Sequence, residues 1–189
     1  MKIIKLLTIL FVALIIKSCT PDEGSLRPTR GENSFSAKIN GKQFMAEDVE
    51  EFANTTYGIS AYENNKTWQL TFRNSSKLDI YFYLYQVNEE KNYLVGDADG
   101  DLVYYLESDD ETSVSISDGT GYNTGVAFSS DSSGADQFIT ITDVQGDSII
   151  IGQFKKLTLS DPKNPNNKTI LTDGFFNINL YTLNKRDNL

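Results

Sequence analysis

Tyr81, Tyr83 and Tyr85, set two residues apart, are the first side chains whose type and spacing could do chemistry. On an extended strand that spacing puts all three rings on one face, opposite Ile80, Phe82 and Leu84. Tyr rings stack on sugar rings while their hydroxyls keep polar partners, and Tyr57, Tyr62, Tyr104 and Tyr105 would extend the row. A central strand whose second face is covered would carry the same residues simply as good strand formers. The second constellation is Asp97-Ala98-Asp99-Gly100-Asp101, three carboxylates on alternate positions of a Gly-containing loop. Calcium takes oxygen ligands of this kind. An EF-hand would want Gly sixth and Glu twelfth, where Leu102 and Ser108 stand, so any calcium site here is an irregular one. The competing reading is a solvated edge, because no basic residue occurs between Lys91 and Lys155 while acidic ones are frequent.

Other chemistry is excluded by what the chain lacks. Its 189 residues contain no histidine and a single cysteine, Cys19. Ser-His-Asp and Cys-His catalysis, imidazole metal sites and internal disulfides are therefore absent. A net charge of -9 opposes nucleic-acid binding, which depends on neutralising phosphates. No G-x-S-x-G, S-x-x-K or Gly-rich phosphate loop occurs. A glycosidase-type carboxylate pair would need two acids about 5 to 10 Å apart across a cleft, and nothing in the spacing selects two. The chain reads as a non-enzyme without a cofactor, calcium at the Asp loop aside.

The elements that must position these residues begin after a leader. Met1 to Lys5 is a short positive start, and Leu6 to Ile16 is a run of eleven apolar or near-apolar residues. Crossing a bilayer takes about 20, so residues 1–18 read as a secretory signal peptide. Ile16-Lys17-Ser18-Cys19 resembles the lipobox of bacterial lipoproteins, with Lys17 departing from the usual small or apolar residue. The resemblance implies cleavage before Cys19 and lipidation, palmitate included, of that residue. Removing Lys2, Lys5 and Lys17 leaves 14 basic against 26 acidic side chains, a net of -12. Attachment to anionic headgroups by charge is then ruled out, and acyl chains must supply the hold on the membrane. Residues 19–33 carry Pro21, Gly24, Pro28 and Gly31 with one large apolar residue, Leu26, and read as a tether about 20 Å in typical span. Asp22-Glu23 resembles the acidic signal that sends Bacteroidota lipoproteins to the outer face of the cell.

From Ser34 the period is two. Alternating runs at Ser34–Ile39 and Lys42–Ala46 flank Asn40-Gly41, the strongest short-range hairpin signal. A second hairpin is expected from Thr56–Ala61 and Thr67–Arg73, and a long strand at Leu78–Val87. Further strands are expected at 102–106, 113–117, 125–129, 138–142, 148–154, 169–171 and 175–183, with Asp161 to Asn167 as a long polar loop. No amphipathic helix of ten residues is visible; Met45–Ala53 comes nearest and reads as an irregular turn or short strand. No proline interrupts 29–161, which suits strands that need every backbone donor. Residues 34–189 should form one antiparallel β-sandwich, with a closed β-barrel as the alternative.

Phe35-x-Ala37-x-Ile39-Asn40-Gly41-x-x-Phe44 resembles the opening of a family of uncharacterised Bacteroidota lipoproteins, with Phe44 where many members have Trp. Tyr122-x-Thr124, Ile139-x-Ile141-Thr142, Ile151-Gly152-x-Phe154 and Thr172-Asp173-Gly174-x-Phe176 follow in that family's order. The resemblance covers about residues 34–182. Its motifs read as turn glycines and core aromatics, so it implies a fold and carries over no catalytic residue. Asp147-Ser148-Ile149 resembles the short O-glycosylation acceptor of Bacteroidota.

These readings converge on a non-catalytic, lipid-anchored cell-envelope protein, a binding or structural module, in the outer membrane and facing outward. The alternative is a surface glycan-binding lipoprotein that helps capture polysaccharide through Tyr81, Tyr83 and Tyr85. The expected partners are the membrane, through lipid on Cys19, and a glycan; the chain is expected to be a monomer.

Overall fold

The computed structural model describes residues 33–51, 54–76, 78–98, 111–117, 126–132 and 136–185. The first hairpin forms where the sequence places it. Strands β1 (Ser34–Ile39) and β2 (Lys42–Met45) are joined by Asn40 and Gly41, both at positive φ, 49° and 79°. That pair of left-handed residues makes a turn whose twist matches the flanking strands. Two short strands, β3 (Val49–Glu51) and β4 (Asn54–Thr56), pair only with each other. Then come β5 (Ile59–Asn64) and β6 (Thr67–Arg73), linked through Asn65 and Lys66, again both at positive φ. β7 (Asp79–Leu84), β8 (Asn92–Leu94), β9 (Ser113–Ser117) and β10 (Val126–Ser130) follow. The chain closes with β11 (Phe138–Gln145), β12 (Ile149–Asp161), β13 (Asn164–Asn179) and the one-turn helix α1 (Leu180–Leu183).

Two expectations at the C-terminal end are corrected. Asp161 to Asn167 is not a long loop, because β12 and β13 run into it as a tight hairpin. Pro165 lies near that hairpin's tip, where Asn164 pairs Asp161 and the next pair is Lys168 with Ser160, so it removes no donor from the central ladder. The separate strands expected at 169–171 and 175–183 are one strand of 16 residues ending at Asn179. There the Asn179 side chain caps α1 by accepting from the Tyr181 and Thr182 amides. The strand expected at 102–106 lies outside the described residues.

Nine strands run in the order β2-β1-β13-β12-β10-β9-β7-β6-β5, every neighbouring pair antiparallel, with β11 and β8 branching from β12. The sheet curls into a half-barrel, an all-β sandwich-like fold. Its curl is set by phenyl packing: Phe35 of β1 stacks on Phe72 of β6 with centroids 3.9 Å apart and planes 12° apart. Phe82 meets Phe35, Phe72 and Phe176 edge-on and Phe154 at a tilt. Trp68, Leu70, Ile80, Ile139, Ile150 and Leu157 complete the buried centre.

β12 is forked. Its first half pairs β11, from Gln145 against Ile149 to Thr140 against Gln153. Its far end pairs β10, at Leu159 and Ser160. Between the two, the buried side of the strand changes parity: Ile150, Gly152 and Phe154 face inward, then Leu157 and Leu159. β13 makes the same change, burying Leu171 and then Gly174, Phe176 and Ile178. At that place Asp173 has φ 54° and the β1–β13 register shifts between Ser36 and Lys38, the mark of a bulge. The bulge bends the long strands, so β11 leaves and β10 joins. A groove opens at the fork.

Candidate functional site

Tyr81 and Tyr83 share one face of β7, as their spacing requires, but the strand expected to reach Val87 ends at Leu84 and Tyr85 lies in the turn beyond it. Tyr83 lies between Gln69 of β6 and Ser113 of β9, and is 8% exposed. Tyr81 lies between Thr71 and Ser115, half-buried, and its hydroxyl donates to Asp79 Oδ2 at 3.0 Å. Arg73 Nε donates to the same oxygen at 2.9 Å, which makes an ion pair shared with a phenol. Burial and then the Asp79 carboxylate push the Tyr81 phenol up to about 12. Burial works against the Arg73 charge, yet Asp79 and Tyr81 outweigh it and its pKa is raised.

Between Tyr81 and Tyr83 lies a cavity of about 30 Å³ that also touches Gln69, Thr71, Ser113 and Ser115. Gln69 Nε2 is buried there with no hydrogen-bond partner among the described residues. A polar space of that size fits roughly one water, far less than a sugar ring. Tyr85 stands apart and lines a different depression with Tyr93. Tyr62 is 50% exposed on β5, and Tyr104 and Tyr105 lie outside the described residues.

Asp97 acts as a clasp. Its Oδ2 accepts from Ser132 Oγ at 3.0 Å and its Oδ1 from the Ser132 amide, while its own amide donates to Glu111. These bonds tie the exit of β8 to the exit of β10. Asp99 and Asp101 lie outside the described residues, as does Cys19. Among the described residues no three acidic or cysteine side chains are grouped as metal ligands.

The fork of β12 holds a groove of about 680 Å³. Gln137, just before β11, spans the gap where backbone pairing lapses. Its amide nitrogen donates to the Thr158 carbonyl at 3.2 Å and its oxygen accepts from the Thr158 amide. The side chain thus stands in for one rung of the ladder and leaves the cleft open beside it. One bank carries Asn92, Phe138 and Thr140, with Thr140 Oγ1 donating to Asn92 Oδ1 at 2.7 Å. Gln153, Lys155 and Lys156 of β12 form the floor, and Asp173 and Phe175 of β13 the far bank. Phe138 is 41% exposed, and its cross-strand neighbour Leu94 is 53% exposed.

Charge in the groove is mixed. Lys155, Lys156, Asp136 and Asp173 line it, and Lys38 holds Asp173 at 2.9 Å. Beside these charges a ligand meets planar amide, hydroxyl and phenyl surface. Sequence reading put Phe138, Thr140, Gln153 and Phe175 in strands but gave them no role, and it did not single out Asn92 or Gln137. The signal was weak because the groove depends on a fork between strands far apart in the chain.

Fold and groove together define an all-β antiparallel half-barrel domain with a polar–aromatic cleft at the β12 fork. Comparison with protein-family models, with curated proteins and with solved structures finds no match for this chain. Among the described residues no helix is long and apolar enough to cross a membrane.

Proposed function

We propose that this chain is a lipid-anchored protein of the outer membrane, facing outward, whose β domain is a non-catalytic binding module. The observation that carries the binding role is the groove at the β12 fork. Its volume lies within the range of ordinary ligand sites, and its lining sets amides, hydroxyls and phenyl faces beside two lysines and two aspartates. Amides, hydroxyls and phenyl faces recognise without transferring protons at neutral pH.

The anchoring role rests on Cys19, on its lipobox resemblance and on the acidic pair behind it. The way the domain begins supports it. Asn33 Oδ1 accepts from the Asn179 amide at 2.7 Å, and Asn33 Nδ2 donates to Thr182 Oγ1 at 3.0 Å. A tether arriving at Ser34 would therefore pull on a point pinned to both β13 and α1.

The test is metabolic labelling with a clickable palmitate analogue, followed by fractionation, for wild type and Cys19→Ala. Wild type should carry label and sediment with membranes; Cys19→Ala should carry none and stay in the supernatant. Label or sedimentation retained by Cys19→Ala would sink the anchoring.

A further inference from the structure

We propose that the fork groove binds an uncharged polysaccharide chain, with Phe138 and Phe175 as stacking surfaces and Asn92 and Gln153 as hydroxyl-reading amides. This rests on the binding-module reading and names its ligand class. The argument is one of matched chemistry. A sugar ring offers an apolar C–H face and a rim of vicinal hydroxyls. Phenyl rings serve the first through apolar contact. Planar amides serve the second, because each presents a donor and an acceptor side by side.

The groove supplies both in alternation. Thr140, Gln153 and Phe175 sit on one cross-strand row over β11, β12 and β13, and Asn92 is paired with Thr140 at its near end. Phe138 is two residues from Thr140 on the same face. The two rings therefore flank an amide floor from strands that lie about 10 Å apart across the sheet. An open cleft of about 680 Å³ accommodates a stretch of several sugar rings rather than one terminal ring.

Charge selects among other occupants. Two ammonium and two carboxylate groups line the groove and Lys38 holds one of the carboxylates, so the local excess is a single positive charge, too little to select a polyanion against the chain's net charge of -9. Nucleic acid is disfavoured further by the chain's overall charge of -9. A lipid tail would need an apolar wall, and this one alternates with amides and charges. A peptide adding as a strand would need a free sheet edge, and the lapse in β12 pairing between Gln153 and Leu159 is short and already bridged by Gln137. The tyrosine row does not compete, because the space between Tyr81 and Tyr83 is about 30 Å³.

The experiment uses the full lipidated chain in detergent micelles on immobilised mannan, xylan, dextran and amylose, with alginate and polygalacturonate as acidic counterparts. Wild type should be retained by at least one uncharged polysaccharide. Phe138→Ala and Gln153→Ala should each weaken that retention at least tenfold, while Tyr62→Ala, an exposed ring away from the groove, should not. Phe138 and Gln153 are both exposed, so the folded domain should survive these changes, with circular dichroism as the check. No retention on any uncharged polysaccharide would overturn the proposal, as would retention on the acidic ones alone. Retention unaffected by both groove variants would remove the site. Palmitate labelling is independent of all three outcomes, so failure here leaves the anchoring of Cys19 standing, and loss of the anchoring leaves the groove testable.

Discussion

The ring tip of Phe154 lies over Gly174 so closely that a Cβ at residue 174 would be 1.9 Å from Cζ. The arrangement is reciprocal: the Phe176 ring covers Gly152, where a Cβ would be 2.3 Å from Cζ. Both are direct cross-strand pairs of β12 and β13. An aromatic ring laid over a strand glycine covers backbone that would otherwise be bare, and the two pairs lock the register of the longest strands. Gly174→Ala must drive the Phe154 ring into a packed core, so it should destabilise the domain by about 2 kcal/mol. Phe154→Leu in the same background should recover part of that loss. Urea denaturation of both single variants and the double variant would measure the coupling; additive losses would show that the ring and the glycine act separately.

Phe82 occupies the centre of the phenyl cluster, with Phe35, Phe72, Phe154 and Phe176 all within 5.9 Å of it, centroid to centroid. These neighbours come from β1, β6, β12 and β13, so the ring joins the two walls of the half-barrel. Phe82→Ala should cost about 3 to 5 kcal/mol, a large fraction of a domain's usual 5 to 15 kcal/mol. The expected outcome is a thermal midpoint lowered by at least 10 °C or loss of the folded protein. Tyr83→Phe, one residue along on the other face, should shift it far less.

Local rules made much of this fold legible. Asn40-Gly41 predicts its hairpin because both residues tolerate left-handed backbone, and period-two alternation finds β1 and β6 to the residue while overrunning β7, which ends at Leu84 rather than Val87. The family motifs read Gly152 and Gly174 as turn glycines, although alternation places Gly152 in the strand expected at 148–154. Both sit inside strands, because what requires them is a ring on the neighbouring strand rather than a turn. The lengths of β12 and β13 were hidden by the parity change at Phe154–Leu157, which breaks the alternation that marks a single strand. The candidate groove was hidden for a related reason: its residues come from β8, β11, β12 and β13, brought together only by the fork. The tyrosine row was legible as a face, but whether that face is open depends on β6 and β9 beside it, and Tyr83 is buried between them.

The two hairpin turns make opposite demands on substitution. Gly41 has φ 79° with nothing within 4 Å of a built Cβ, so Gly41→Ala should cost about 1 kcal/mol from backbone strain alone. Lys66 has φ 67° in the equivalent turn, where a Cβ is already strained. Its backbone donates to Glu63 Oε1 and accepts from the Val87 amide, both of which glycine would keep. Lys66→Gly should therefore stabilise the protein by about 0.5 to 1 kcal/mol. Equilibrium denaturation of both variants decides it, and a destabilised Lys66→Gly would mean that the lysine side chain holds the turn.

Tyr81 ties the polar face of β7 to pH. Its phenol is pushed up to about 12 in the folded protein, by burial first and then by the Asp79 carboxylate it donates to. In the unfolded chain the same group titrates at about 10. Folding therefore favours the protonated phenol. The stability it contributes is fully present below pH of about 10 and is lost as pH rises from about 10 to about 12. Wild type should lose denaturation midpoint faster than Tyr81→Phe across that window, and the two should run parallel below it. Asp79→Asn removes the charge that raises the phenol and leaves Arg73, which lowers it, so the Tyr81 phenol should titrate lower than in wild type. With ten tyrosines in the chain, the titration is best followed by carbon-labelled tyrosine NMR, with Tyr81→Phe assigning the signal. A Tyr81 signal moving with the unfolded chain's value would show that neither the burial of the phenol nor its bond to Asp79 holds in solution. Arg73 would then be paired with Asp79 alone.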